Sequence, residues 1–88
     1  MSEQETLLEF PCAFPIKVFG ENSETFEVAV IEIINRHCSS LSEGAVSSRE
    51  SSGGRYLALT ITIEAHSKQQ LDNIYQELSS HTLVKMAL

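Results

Sequence analysis

The chain is 88 residues long, 42% hydrophobic and 20% charged, with a formal net charge of −6. That length suits one domain with one core, and the composition excludes a disordered chain. The acidic balance disfavours nucleic acid, whose binders draw most of their affinity from Lys and Arg against phosphate, and no apolar run approaches the ~20 residues that span a bilayer.

Residues 1–5 are acidic rather than basic-then-apolar, so no secretory leader is read there and the cytoplasm is the expected compartment. Residues 1–13 read as a lead-in or arm, in which residues 6–10 could form a helical turn and Pro11 and Pro15 prevent a continuous helix. Residues 14–88 read as a single domain.

Residues 14–19 alternate as a strand, with Ile16 and Val18 on one side and Lys17 and Phe19 on the other. Gly20 is expected to end it. Asn22 or Ser23 then caps a helix, with Glu24 in the first turn where the helix dipole favours an anion. Phe26, Ala29, Val30, Ile33 and Ile34 follow at helical spacing, and Val28 and Ile31 widen the stripe, so a deeply covered helix is expected. It stops near His37 and Cys38.

Residues 39–44 are a loop. Residues 45–51 make a polar strand suited to an exposed edge. Ser51, Ser52, Gly53 and Gly54 form a hairpin turn into residues 55–64, the clearest strand. Leu57, Leu59, Ile61 and Ile63 share one face of it; Tyr56, Ala58, Thr60, Thr62 and Glu64 share the other. Ser67 with Gln70 forms a capping box before Leu71, Ile74, Tyr75 and Leu78, a helical face. Residues 83–88 make a final strand, with Val84, Met86 and Leu88 alternating against Lys85 and Ala87.

The order is β-α-β-β-α-β, a split βαβ unit of the α+β class. Right-handed crossovers place both helices on one face of a four-stranded antiparallel sheet, with the first and third strands central. This is a ferredoxin-like sandwich.

Several segments together resemble the YbeD-like family of bacterial proteins. They are Leu8-Glu9-Phe10-Pro11, Ile16-Lys17-Val18-Phe19-Gly20, Thr60-Ile61-Thr62-Ile63 with Gln70, Tyr75-Gln76-Glu77-Leu78, and Val84-Lys85-Met86-Ala87-Leu88. The resemblance covers nearly the whole chain. It implies a ferredoxin-like, ACT-like domain and, through a label some members carry, a link to lipoate regulation. ACT domains place a glycine just before their first helix, where backbone approaches an amino acid. This chain has Asn22-Ser23-Glu24-Thr25 there, so an amino-acid ligand is not expected.

No catalytic constellation is legible, and the chain reads as a non-enzyme. A metal carrier on this architecture needs converging thiolates, and the first loop has no cysteine. A phosphate cradle would meet Glu21 and Glu24. An RNA-reading sheet needs several open-face aromatics; Gly54-Arg55-Tyr56 and Phe19 come nearest, but Leu57, Ala58 and Leu59 break the spacing. His37, His66 and His81 share no metal-ligand spacing and sit near helix ends, as caps would. Cys12 and Cys38 lie far apart in sequence, and a small disulfide scaffold would carry more cysteines, so a reducing compartment fits better. No cofactor and no metal are expected.

Charge separation singles out a candidate surface. Glu21, Glu24, Glu27, Glu32, Asp72 and Glu77 lie in or beside the helices, while Lys17, Arg49, Arg55 and Lys85 lie in strands. Parity places Lys17 and Lys85 on the open face of the sheet, on neighbouring antiparallel strands, and Arg49 on the second strand. The bland reading is a solvated face with lysine stems lying along the sheet. The sharper reading is a site for an acidic small-molecule effector or an acidic protein surface, with Lys17, Lys85 and Arg49 as its cations. A monomer or weak homodimer is expected. As in ACT-like domains, the homodimer would pair sheet edges, here through Leu83, Met86 and Leu88, and an interaction module acting by homodimerisation is the alternative function.

Overall fold

The computed structural model describes residues 9–38, 41 and 44–88. The elements are β1 (Cys12–Glu21), α1 (Glu24–His37), β2 (Val46–Glu50), β3 (Tyr56–Ala65), α2 (Lys68–Ser80) and β4 (Val84–Ala87). The sheet order is β2-β3-β1-β4, antiparallel throughout. The expected ferredoxin-like α+β sandwich is therefore the fold, with β1 and β3 central. Most of the lead-in and of the 39–44 loop lies outside the described residues.

The core is one layer between the sheet and the helices. Ile16 and Val18 of β1 and Leu57, Leu59, Ile61 and Ile63 of β3 pack against Phe26, Val30, Ile33 and Ile34 of α1 and Leu71, Ile74 and Leu78 of α2. Even-numbered β1 residues and odd-numbered β3 residues thus face the helices. Their period-2 alternation leaves the other face open.

Ser23 is the cap of α1, its hydroxyl accepting from the Phe26 N–H at 3.1 Å. Ser67 caps α2 in the same way through the Gln70 N–H. The second half of the capping box is displaced by one residue: the Gln70 amide oxygen accepts from the His66 N–H. Val28 departs from the expected deeply covered helix. It is 55% exposed, because the sheet and α2 together cover only the Phe26–Val30–Ile33–Ile34 side of α1.

β1 is longer than its alternating segment at both ends, since β3 pairs with it from Cys12 to Glu21. Pro15 is tolerated inside this central strand because odd-numbered β1 residues turn their backbone toward β4, and that ladder starts only at Lys17. Gly20 does not end the strand. It is buried, and a β-carbon there would come within 2.6 Å of both the Phe26 ring and the Leu83 carbonyl oxygen.

β4 differs most from its sequence pattern. Phe19 stands opposite Met86, but the next β1 residue, Gly20, stands opposite Val84. Lys85 is therefore an extra, bulged residue, and the parity of β4 changes across it. Val84 and Ala87 pack toward the helices, whereas Met86 and Leu88 are 53% and 60% exposed. The expected apolar row of Val84, Met86 and Leu88 is thus split between two faces.

Candidate functional site

The open face is built by strand parity and register. Across its middle runs a row contributed by all four strands: Arg49 of β2, Ala58 of β3, Phe19 of β1 and Met86 of β4. The neighbouring row holds Ser47, Thr60 and Lys17, with Leu88 beside Lys17. Lys17 and Leu88 exchange two backbone hydrogen bonds of 3.0 and 2.7 Å, which fixes that pairing. On the other side of the middle row Glu21 stands opposite Tyr56, and the Lys85 ammonium lies 6.0 Å from the centre of the Tyr56 ring.

Lys17, Arg49 and Lys85 are exposed, and all three reach this face. They arrive differently from the simple parity argument. Lys17 and Arg49 follow strand alternation; Lys85 comes through the bulge and its contact with Tyr56. Lys17 and Lys85 do not face one another, because Leu88 occupies the position opposite Lys17. None of the three cations takes part in an ion pair among the described residues. The face also carries Glu21 and, at the far end, Glu64 opposite Ala13.

The resulting surface has an apolar middle of Phe19, Ala58 and Met86, extended by Tyr56 and Leu88. Tyr56 is 41% exposed. Three cations without an ion pair among the described residues border this middle. Such an arrangement offers contact area together with positive charge. The signal for Lys17 and Arg49 was present in the sequence. That for Met86 and Leu88 was not, because it depends on the bulge.

The helix layer holds a second polar cluster. Glu77 of α2 accepts from Arg36 at 2.5 Å and pairs with His37 Nε2 at 2.5 Å, bridging the two helices. The hydrogen bond from His37, with the positive charge of Arg36 beside it, holds the Glu77 carboxyl below its ordinary value. An open groove of about 510 Å3 lies along this cluster, with Ile33, Asn73 and Gln76 also on its walls. Its charged groups are turned onto one another rather than converging on a ligand. His37 is therefore an interhelical partner, beyond the helix-end role expected of it. His81 does keep an end role, accepting the Leu83 N–H at Nδ1.

Gln70 joins the helix ends. Its amide nitrogen donates to the His37 carbonyl at 2.9 Å, and lies 3.7 Å from Cys38 Sγ, while its oxygen holds His66. Burial pushes the Cys38 thiol up, the opposite of what a reactive thiolate needs. Cys12 and Cys38 are both free. Among the described residues no group of three His, Cys, Asp or Glu side chains is placed to hold a metal ion, and no helix is long and apolar enough to cross a membrane.

Comparison with known proteins gives a consistent result. Residues 5–88 match the family described as "Protein of unknown function (DUF493)". A UPF0250 protein of Chromobacterium violaceum is 50% identical over 86 residues, covering 98% of this chain and 97% of that one. UPF0250 proteins of Neisseria gonorrhoeae and Paraburkholderia phytofirmans are 43% and 40% identical, the first covering both chains fully and the second covering 99% of this chain and 98% of its own. The YbeD-like resemblance fits these matches, and the chain belongs to the DUF493 family.

Proposed function

We propose that this protein is a non-enzymatic, cytoplasmic binding domain of regulatory character, and that the helix-free face of its sheet is the surface that binds. One observation carries the reading: Lys17, Arg49 and Lys85, none of them in an ion pair among the described residues, border an apolar middle of half-buried Phe19 and Ala58 and exposed Met86 on a chain whose net charge is −6. Half of the chain's six Lys and Arg residues are gathered there. Interfaces have this anatomy, an apolar centre inside a polar rim. The lipoate-regulatory label of the YbeD-like family names the setting in which the partner is to be sought.

The test is comparative capture of partners from native bacterial cytoplasm by the wild-type protein and by K17Q/R49Q/K85Q. Loss of a specific partner from the variant supports the reading; an unchanged set of partners removes it. The alternative, an interaction module acting by homodimerisation through β4, draws on the exposure of Met86 and Leu88. Those two side chains lie on the open face rather than along the outer edge, which favours a partner laid over the sheet. Sedimentation at micromolar concentration separates the two.

A further inference from the structure

We propose that the occupant of the open face is a single amphipathic helix of a partner protein, its apolar stripe flanked by carboxylates. This rests on the reading of that face as the binding surface and adds the chemistry and shape of what it binds.

The shape follows from the middle row. Arg49, Ala58, Phe19 and Met86 cross all four strands. Three interstrand gaps of about 4.8 Å make a track of roughly 14 Å, the length of about ten residues of α-helix. A helix laid on this track sets its apolar stripe on Ala58, Phe19 and Met86. The lateral edges of the sheet offer backbone to an added strand, but the apolar residues stand on the face, where a helix packs. The opposite face already packs two helices, α1 and α2, against its apolar residues.

The charge follows from the border. Lys17 lies on one flank of the track, Lys85 with Tyr56 on the other, and Arg49 at the β2 end. A helix with carboxylates on both sides of its stripe meets a cation on each flank, Lys17 alone on one and Lys85 beside Glu21 on the other. A single-stranded nucleic acid fits less well. Of the five apolar residues only Phe19 and Tyr56 offer a ring for stacking, Glu21 and Glu64 share the face, and the net charge of −6 repels a polyanion.

A second copy of this chain presents related chemistry: Glu24, Val28 and Glu32 follow one another at single-turn spacing on α1, with Val28 exposed. However, α1 lies on the side of the sheet away from the open face. Pairing the two surfaces would join copies head to tail, as a ring or an open polymer, rather than as a two-fold dimer.

The experiment uses the full chain, isotopically labelled, and records backbone amide shifts on titration. The probes are a synthetic helical peptide of about fourteen residues with a leucine stripe flanked by glutamates, the same peptide with lysines for the glutamates, and a short oligouridine. The glutamate peptide is expected to shift Lys17, Phe19, Arg49, Ala58 and Met86. Its Kd should rise at least tenfold in K17Q/R49Q/K85Q, and should also rise between about 50 and about 300 mM salt. The lysine peptide and the oligouridine should leave those amides in place.

Equal binding of the lysine peptide, binding of the oligouridine alone, shifts confined to the helix layer, or sedimentation of the free protein as a ring or an open polymer would each overturn the proposal. If the glutamate peptide leaves the open face unperturbed while partner capture still depends on the three cations, the helix falls and the binding face stands. If capture is also indifferent to them, both fall.

Discussion

Phe19 and Met86 stand directly opposite one another on β1 and β4, on the side of the sheet that carries no helix. Their pairing sits next to the bulge at Lys85, and it places a thioether in solvent where simple alternation would bury it. Substituting these two strands therefore gives a sharp test of β4 register. Met86→Ser should change stability by less than about 1 kcal/mol, as an exposed site does. Val18→Ala, at a fully buried neighbouring position, should cost about 1–3 kcal/mol. Urea unfolding of both variants checks this, and a larger loss for Met86→Ser would refute the register.

Gly20 tests the close approach beneath α1. Gly20→Ala forces a methyl group against the Phe26 ring and the Leu83 carbonyl. Overpacking of this kind costs roughly 1–3 kcal/mol. Phe26→Leu in the Gly20→Ala background should recover part of the loss relative to the sum of the two single changes, because only the ring half of the clash is relieved. A double-mutant cycle by denaturant unfolding measures the coupling.

The three open-face cations should matter little to folding. K17Q/R49Q/K85Q removes no ion pair among the described residues and only the exposed contact of Lys85 with the Tyr56 ring, so its unfolding free energy should stay within about 1 kcal/mol of wild type. Equal stability with altered partner capture would separate a binding role from a structural one.

Glu77 gives the pH dependence. Its carboxyl is held below the ordinary value of 4.5 by the His37 hydrogen bond and by Arg36. A group lowered on folding contributes stability that is present above its unfolded value and is lost as pH falls through its folded value. Thermal unfolding should thus show wild type losing stability as pH drops below about 4.5, with a shallower loss in Glu77→Gln. Parallel curves for the two proteins would exclude the bridge as the source.

Gln70→Ala should cost about 1–2 kcal/mol, because the His66 N–H and the His37 carbonyl both lose a side-chain partner. Hydrogen exchange should quicken both at the end of α1 and at the start of α2; a change at one end alone would contradict the bridge.

Much of this arrangement could be read from local chemistry. The alternation of Leu57, Leu59, Ile61 and Ile63 fixed which side of β3 faces the helices, and Ser23 and Ser67 marked both helix starts. Parity also placed Lys17 and Lys85 on the open face, although Lys85 reaches it through the bulge rather than by alternation. What stayed hidden depends on pairing between distant segments. The bulge at Lys85 leaves no local mark, because the residues around it still alternate. The extension of β1 through Pro15 is set by where β3 and β4 run. The Glu77 bridge to Arg36 and His37 joins positions some 40 residues apart, and neither helix alone signals the other's register.

The Gln70 amide has a wider consequence. One side chain fastens the last turn of the first βαβ half to the opening turn of the second. Fraying that starts on either rod is felt immediately by its neighbour, so the two halves should melt as a single cooperative unit, with no half-folded species accumulating along the way.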